Sequence, residues 1–414
     1  MKQRCTVCGR EWGIERQVLR CPCGGLPEVE QNERDWDGER LRRLFDGRLA
    51  ERCSLYASGV WRYKELIHPQ LAEVSTVTKY EGNTGLYASE PVRAYAGVAQ
   101  VLLKAQSENP SGSFKDNGMV AAVSHGLSLG YRRFACTSTG NTSASLAMYA
   151  ALVGCEACVF VPDSGIAESK VLQTAAYGAR LIRFDGTYDE GIRFLEAYAE
   201  ELGLYVCNSV NPLRIEGQKS IIYELAHSLG WSLPDWIVLP GGALSNVSAL
   251  GKGLRDLLRL GLISRLPRVL VVQAEGASPF HRLMSGGGER LEPEPRPRTL
   301  ASALNIGSPP SWEKARDVLR ETDGLTVAVS DEEILEAKVC IDRAGIGCEP
   351  ASAASVAGLR RLVREGSIDK EASAACLLTG HLLKDLGALK GIPAGHSRGT
   401  GGLDPGSVRS LIEG

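Results

Sequence analysis

From about residue 95 onward, short runs of apolar residues alternate with longer amphipathic stretches. Short apolar runs bounded by turn residues are typical of buried strands, and the longer stretches have helical periodicity. The pattern predicts strands at 101–103, 134–137, 157–161, 181–184, 236–239 and 269–273, and helices at 116–129, 142–152, 167–177 and 188–202. This alternation favours an α/β fold with parallel sheets covered by helices, in which ligands bind at the strand-to-helix turns.

Composition divides the chain into segments. We expect a small cysteine-rich unit at 1–28, a helical connecting segment at 29–100, a catalytic core at 101–390 and a tail at 391–414. Within the core we expect two interleaved α/β subdomains, the smaller at about 130–215. The stretch 285–300 mixes glycine, proline and charged residues, which predicts a surface loop. It is either a plain insertion or an element that gates the site.

Length and charge restrict the class of protein. The 414 residues suffice for two or three domains, and a hydrophobic fraction of 43% is typical of a globular protein. The formal net charge is only -2, so neither nucleic acid nor an anionic membrane is expected as a partner. The sequence has no run of eighteen apolar residues, and its start lacks the apolar segment of a secretory signal. We therefore expect a cytoplasmic protein.

Four cysteines near the start are spaced like metal ligands. Cys5 and Cys8 form a CxxC pair, and Cys21 and Cys23 form a CxC pair. In a reducing compartment such clusters are metal sites or free thiols rather than disulfides. We expect a closed structural zinc site, and the alternative is a set of free thiols on a flexible arm. A zinc-dependent nucleic-acid binder is a further hypothesis, against which the near-neutral charge argues.

The segment 109–116, Asn-Pro-Ser-Gly-Ser-Phe-Lys-Asp, places Lys115 at the start of a predicted helix. The positive end of the helix dipole favours the neutral form of the amine. A neutral amine is what condensation with an aldehyde cofactor requires. A solvated surface lysine is the alternative.

Two predicted strand-to-helix turns have compositions that suit anions. The turn at 138–142 is Ser-Thr-Gly-Asn-Thr, and the turn at 240–246 is Pro-Gly-Gly-Ala-Leu-Ser-Asn. Backbone N–H groups at helix starts bind anions, and glycine permits the close approach of a phosphate. The alternatives are a simple helix cap for the first turn and a turn without a ligand for the second.

The segment Leu-Leu-Thr-Gly-His at 377–381 follows a late apolar run. A hydroxyl at a strand end, here that of Thr379, can hydrogen-bond a ring nitrogen without forcing its protonation. For His381 we favour a packed or solvated imidazole over a catalytic one.

Taken together, these motifs resemble those of the fold-type II pyridoxal-phosphate enzymes, and specifically the threonine synthases, in the same order. Further similar segments are Asn-Ser-Val-Asn-Pro-Leu-Arg-Ile-Glu-Gly-Gln-Lys at 208–219, Gln-Ala-Glu-Gly at 273–276, Ile-Gly-Ser-Pro at 306–309 and Glu-Pro-Ala-Ser-Ala-Ala-Ser at 349–355. The resemblance covers roughly residues 75–390. It implies two domains with helix-covered parallel sheets, bound pyridoxal 5′-phosphate and a homodimer.

The resemblance also implies residue roles. Lys115 would bond covalently to the cofactor and move protons. The implied cofactor contacts are Phe114, Asn141, Gly241, Gly242, Ser245, Asn246 and Thr379. The implied contacts with a phosphorylated amino acid are Ser138, Thr139, Thr142, Asn208 and Arg214. The chemistry agrees for Arg214, because a guanidinium binds phosphate bidentately. The implied reaction converts O-phosphohomoserine and water to threonine and phosphate.

Several residues near the implied site depart from the family's pattern. Asn117 stands where arginine is usual, and the turn at 242–245 is Gly-Ala-Leu-Ser. Asn305, Ser308 and Leu382 replace a basic residue, an asparagine and a glycine. These changes leave the cofactor unaffected but bear on the substrate. One alternative is therefore an enzyme for O-phosphoserine or another activated amino acid, similar to cysteate synthase. Another is a binding homologue without catalysis.

Overall fold

A computed structural model describes residues 1–31, 37–163, 171–389 and 405–413. The strands are β1 Lys2–Cys5, β2 Glu11–Gly13, β3 Pro27–Glu30, β4 Leu86–Ala88, β5 Gln100–Ala105, β6 Arg133–Thr137, β7 Glu156–Pro162, β8 Arg180–Phe184, β9 Tyr205–Val206, β10 Trp236–Pro240, β11 Arg268–Ala274, β12 Leu325–Val329 and β13 Ser373–Leu378. The helices are α1 Gly38–Arg48, α2 Lys64–Ile67, α3 Glu90–Ala96, α4 Lys115–Ser128, α5 Asn141–Leu152, α6 Leu172–Ala176, α7 Tyr188–Tyr198, α8 Pro212–Gln218, α9 Ser220–Ser228, α10 Ser245–Arg259, α11 Pro279–Gly286, α12 Trp312–Glu321, α13 Asp331–Arg343, α14 Pro350–Arg364, α15 Leu386–Leu389 and α16 Pro405–Glu413.

The large sheet has the order β12-β11-β10-β13-β5-β4, and all its neighbours are parallel except the edge pair β4 and β5. Alternate residues of β10 enter different cores. Ile237 and Leu239 pack with residues of α10 and α12, whereas Trp236 and Val238 pack with residues of α13 and α14. Both faces of β10 are therefore buried, which explains its continuous apolar run.

The small sheet has the order β8-β7-β6-β9 and is wholly parallel. Its outer core, which includes residues of β6, β7 and α7, also contains Leu19 and Leu26 from the start of the chain. A third sheet, β2-β1-β3, is antiparallel and holds the first cysteine. The N-terminal unit is thus packed against the small sheet.

Helices α4 and α8 pack closely because each has a glycine at the contact. A Cβ at Gly217 would overlap the carbonyl oxygen of Asn117, and one at Gly118 would lie 2.7 Å from the carbonyl oxygen of Arg214. Lys115 begins α4 and Arg214 belongs to α8. The glycine contact therefore sets how close the lysine and the arginine can lie.

The structure confirms the expected α/β fold with helix-covered parallel sheets, and strands occur at every predicted strand position. Helix α7 ends at Tyr198, before the predicted 202, and the antiparallel N-terminal sheet was not predicted. The predicted helix at 167–177 lies partly outside the described residues, as does most of the tail at 391–414. The predicted domain limits stay predictions. Among the described helices, none is long and apolar enough to cross a membrane.

We expect Gly217→Ala to lower the free energy of unfolding by about 1–3 kcal/mol, because the added methyl forces α4 and α8 apart. Urea unfolding followed by circular dichroism measures this. The matched control is Gly47→Ala in α1, where a Cβ would meet no described atom within 4 Å. That control should be neutral or slightly stabilising. Equal stability of both variants would contradict the proposed steric role of Gly217.

Candidate active site

A cavity of about 640 Å³ lies where the turns after β6, β10 and β13 meet the start of α4. Among the residues predicted for the site, those that line it are Phe114, Lys115, Ser138, Thr139, Asn141, Thr142, Gly242, Ser245, Asn246 and Thr379. Gly241, Asn208 and Arg214 do not line it. Residues more than 260 positions apart thus meet at the carboxyl ends of parallel strands.

The surroundings of Lys115 lower the pKa of its amine and so favour its neutral form. Desolvation, and next the positive charge of Arg214, lower the pKa of Lys115 to about 7, although Glu349 acts in the opposite direction. The Nζ atom lies 4.3 Å from the ring centroid of Phe114. The position of Lys115 at a helix start predicts a neutral amine through the helix dipole, whereas in the structure burial is the first cause of the lowered pKa.

Three helices, α4, α5 and α10, begin at the cavity. None of the three receives a side-chain cap hydrogen bond from the described residues. The cap alternative for the turn at 138–142 is therefore not observed, since the residue before α5 is Gly140. In α4 the N–H groups of Asp116 and Asn117 donate to the carbonyl oxygens of Ser113 and Phe114. The starts of α5 and α10 are therefore the ones better suited to binding anions.

The turn before α10 has the shape of a phosphate cradle. A Cβ at Gly242 would lie 2.7 Å from the carbonyl oxygen of Ala303, so a larger residue is excluded there. Leu244 adopts a left-handed conformation, with φ of 63°, immediately before the helix. The buried Nδ2 of Asn246 has no hydrogen-bond partner within the described chain. An unpaired buried amide next to a helix start favours an acceptor-rich ligand.

Arg214 lies behind the cavity wall and is fully buried. Its Nη1 donates to the carbonyl oxygen of Cys207 at 3.1 Å, whereas Nε and Nη2 find no partner among the described residues. Burial lowers the pKa of Arg214, but a guanidinium stays protonated. A buried, half-paired cation is costly unless an anion arrives.

Asn208, which is predicted to bind substrate, is hydrogen-bonded to the end of β6. Its Oδ1 accepts from the N–H of Thr137 at 3.0 Å, and its Nδ2 donates to the Thr137 carbonyl oxygen at 3.0 Å. The amide is engaged with backbone on both sides. Asn208 therefore orients the turn that follows β6.

Glu349 lines the cavity but was not singled out from the sequence. The Nδ2 of Asn141 donates to both of its carboxylate oxygens, at 3.1 and 3.0 Å. Burial raises the pKa of Glu349. A Cβ at Gly380 would overlap this carboxylate, which explains the glycine there. The sequence does contain a signal for Glu349, because it is the one carboxylate in the segment 349–355, whose other residues are small.

The end of β13 is hydrogen-bonded to the segment that precedes Lys115. The N–H of Phe114 donates to the carbonyl oxygen of Thr379 at 3.0 Å, and the Thr379 hydroxyl lies 3.0 Å from that of Ser352. His381 does not line the cavity; its Nδ1 accepts from the N–H of Leu383. Lys384, also missed, does line it and donates to Gln173 at 2.5 Å.

The residues that depart from the family pattern separate into two groups. Ala243, Asn305 and Ser308 line the cavity and can affect ligand binding. Asn117 is buried and donates to the hydroxyl of Ser220 at 2.9 Å, and Leu382 packs against Gly347. These last two are therefore packing residues.

Part of the predicted loop at 285–300 borders the cavity through Pro293, Glu294, Pro295 and Pro297. Backbone hydrogen bonds of 2.9 Å fasten it on both sides, from the N–H of Glu294 to Gly307 and from the N–H of Arg298 to Gly276. The loop is thus part of the cavity wall rather than a remote insertion.

The four N-terminal cysteines converge. Their sulfur atoms all lie within 4.8 Å of one another, and the pairs Cys5–Cys23 and Cys8–Cys21 are each 3.5 Å apart. Burial opposes ionisation of Cys5, yet hydrogen bonds from backbone N–H groups lower its pKa to about 6. Tetrahedral zinc with Zn–S bonds of ~2.3 Å would require sulfur separations of about 3.8 Å. The cluster therefore fits such an ion.

Comparison with known proteins gives a consistent result. A family model described as pyridoxal-phosphate dependent enzyme matches residues 77–380. Threonine synthase from Methanocaldococcus jannaschii is 38% identical over 93% of this chain and 93% of its own length. Threonine synthase from Mycobacterium bovis is 42% identical over 77% of this chain and 86% of its own.

Solved structures are similar in fold. Maize serine racemase superimposes with a TM-score of 0.66 at 21% identity, covering 81% of this chain and 96% of its own. The processed form of threonine deaminase isoform 2 from Solanum lycopersicum gives a TM-score of 0.62 at 17% identity, covering 96% of this chain and 95% of its own.

In protein freed of any bound cofactor, acylation of Lys115 should rise with pH to a midpoint near 7, because the depressed pKa leaves the amine neutral above that pH. Arg214→Met should move the midpoint upward by removing a neighbouring positive charge. Peptide mass spectrometry after brief acylation across a pH series measures both, with exposed Lys79 as the reference. A midpoint for Lys115 equal to that of Lys79 would contradict the lowered pKa of Lys115.

Proposed function

The chain belongs to the threonine synthases, a family of pyridoxal-phosphate-dependent enzymes, and we propose that it converts O-phosphohomoserine and water to threonine and phosphate. One observation carries the choice of a phosphorylated substrate. The guanidinium of Arg214 is buried and half unpaired, and it lies near enough to Lys115 to lower the pKa of that lysine. An anionic group of the substrate would accept hydrogen bonds from the unpaired N–H groups of this guanidinium.

The cavity suits pyridoxal 5′-phosphate. Lys115 would bond covalently to the cofactor, and Phe114 would contact its ring. Gly241, Gly242, Ser245 and Asn246 would hold its phosphate at the start of α10, Asn141 its 3′-oxygen and Thr379 its pyridine nitrogen. The uncapped start of α10 and the unpaired amide of Asn246 support this assignment. When bound, the cofactor supplies an electron sink for the carbanion formed at the substrate.

The protein's own groups would bind the substrate and move its protons. Lys115, in its unprotonated form, would accept the proton of the α carbon, return that proton to the bound substrate and cofactor, and then accept one from the β carbon. Ser138, Thr139 and Thr142, around the start of α5, would hold the substrate carboxylate. Arg214 would bind the phosphate that leaves. Asn208 would act indirectly, by fixing the turn that follows β6.

We propose that Cys5, Cys8, Cys21 and Cys23 bind one structural zinc ion. Four converging thiols match the donor set of a closed zinc site. No coordination position is left for a substrate, so the ion would have no catalytic role. Homodimerisation and a cytoplasmic location stay predictions from the sequence.

Purified protein should release phosphate from O-phosphohomoserine and form threonine in equal amounts. Lys115→Ala should abolish both products, because the proton acceptor is lost. Phosphate release and amino-acid product, measured separately with O-phosphohomoserine and O-phosphoserine, test this. Turnover of O-phosphoserine alone, with sulfite or another nucleophile, would contradict the proposal and favour the cysteate-synthase alternative. Binding of the cofactor with no turnover would favour a non-catalytic homologue.

Arg214→Met should lower kcat/KM for O-phosphohomoserine by about 10–100-fold, as expected for loss of a charge-assisted hydrogen bond. Arg214→Lys should recover part of the activity. Steady-state kinetics with matched cofactor content measure this, and exposed Arg43→Met in α1 is the control. An Arg214→Met enzyme with unchanged kcat/KM would exclude Arg214 as the phosphate ligand.

Metal analysis should find about one zinc ion per chain, as one four-thiolate site holds. The double variant Cys8→Ser, Cys21→Ser should lose it, because two ligands are removed. Cys53→Ser is the control, since Cys53 is an exposed cysteine outside the cluster. Inductively coupled plasma mass spectrometry provides the measurement. Full zinc content in the double variant would contradict the assignment.

A further inference from the structure

We propose that the metal-bound N-terminal unit, residues 1–31, is a strap that joins the small sheet to the large one and thereby sets the substrate side of the cavity. The inference rests on the proposed zinc site. It assigns to that site a positioning role in substrate binding, at a distance from the reacting atoms.

One end of the strap is fastened to helices of the large sheet. Lys314 in α12 donates to the carbonyl oxygen of Pro27 at 3.0 Å and pairs with Glu28 at 3.5 Å. Lys252 in α10 donates to the carbonyl oxygen of Val29. Helix α10 is the helix that begins at the proposed cofactor-phosphate turn. Strand β3 is therefore fixed to the body that holds the cofactor.

The middle of the strap is fastened to the small sheet. Arg20 forms two hydrogen bonds of 3.0 Å with Glu196 in α7. The side-chain oxygen of Gln17 accepts from the N–H of Val206, in the edge strand β9, at 2.8 Å. Leu19 and Leu26 pack into the core of the same sheet. These contacts bind the segment 17–26 to the small sheet.

The cysteines connect the two anchored parts. Cys5 ends β1, which pairs with β3 of the large-sheet anchor, and Cys8 follows it. Cys21 and Cys23 lie directly after Arg20, in the small-sheet anchor. A metal bound by all four would therefore link the β1–β3 sheet to the segment that touches β9 and α7. Leu26 of the small-sheet anchor and Pro27 of the large-sheet anchor are consecutive residues, so the chain itself already joins the two parts. The metal would add a second connection and thereby fix their relative position.

A short path leads from the strap to the substrate turn. The side chain of Gln17 accepts a hydrogen bond from β9, and β9 pairs with β6. Strand β6 ends at Thr137, whose backbone Asn208 holds in place. The next residues form the turn at 138–142, which lines the cavity. Loosening of the strap should therefore weaken substrate binding more than cofactor binding.

The test removes zinc from the cofactor-loaded enzyme with a chelator and measures hydrogen exchange, kinetics and cofactor absorbance. Exchange should rise in β9 and α7 and stay unchanged in β11 of the large sheet. KM for O-phosphohomoserine should rise about fivefold, the lower end of typical coupling between sites, while kcat and bound cofactor change little.

Gln17→Ala supplies a second route, because it removes the contact with Val206 and leaves all four cysteines in place. It should keep its zinc, reproduce the faster exchange in β9 and reduce the further effect of chelation. Lys2→Ala is the matched control, since Lys2 belongs to the strap and its ion pairs with described residues are those with Glu11 and Glu30 of the same unit.

The outcomes are distinct. Zinc loss without faster exchange in β9, or faster exchange with unchanged KM, would overturn the strap and leave the zinc site intact. Wild-type protein that holds no zinc would overturn both, while threonine formation would still stand. If chelation unfolds the protein, the hydrogen exchange of Gln17→Ala becomes the deciding measurement. Unchanged exchange in β9 of that variant would overturn the proposed strap.

Discussion

The close packing of α4 against α8 is the constraint on which the site depends. Gly118 and Gly217 let the helices approach until a Cβ would meet backbone. This approach lets a buried arginine influence a lysine at the start of α4, and the two cations disfavour each other's charge. The lysine is the group that yields, since its pKa falls to about 7 while the guanidinium keeps its proton. Burial is the larger cause of the lowered Lys115 pKa, and the arginine that helix packing brings near adds to it.

Helix starts and charged side chains together set the electrostatic character of the cavity. The lining includes three carboxylates, those of Asp189, Glu294 and Glu349. Three helices begin at the cavity without side-chain caps, and the half-paired guanidinium of Arg214 lies behind the cavity wall. Such a site favours ligands with several anionic groups, as a phosphorylated amino acid and a phosphorylated cofactor are. Backbone dipoles at the helix starts contribute positive potential, and they need no side-chain reorganisation when a ligand binds.

The two sheets contribute different halves of the cavity, so their relative position matters. The large sheet supplies the turn at 242–246, and the small sheet supplies the turn at 138–142. The N-terminal unit contacts both bodies, through Lys314 on one side and Arg20 on the other. A unit remote in sequence from the catalytic lysine can therefore influence the cavity through rigid strand pairing.

The sequence by itself determined the fold class and the family, and it predicted ten of the residues that line the cavity. It could do so because each motif is contiguous and follows a strand whose apolar run is a local signal. It could not show that Asn208 is engaged by Thr137, that Glu349 holds Asn141, or that Asn117 packs away from the cavity. Those facts come from contacts between distant segments. Tertiary structure alone decided the charge of Lys115 and the unpaired state of Arg214, because burial and neighbouring charge exist only once the chain is packed.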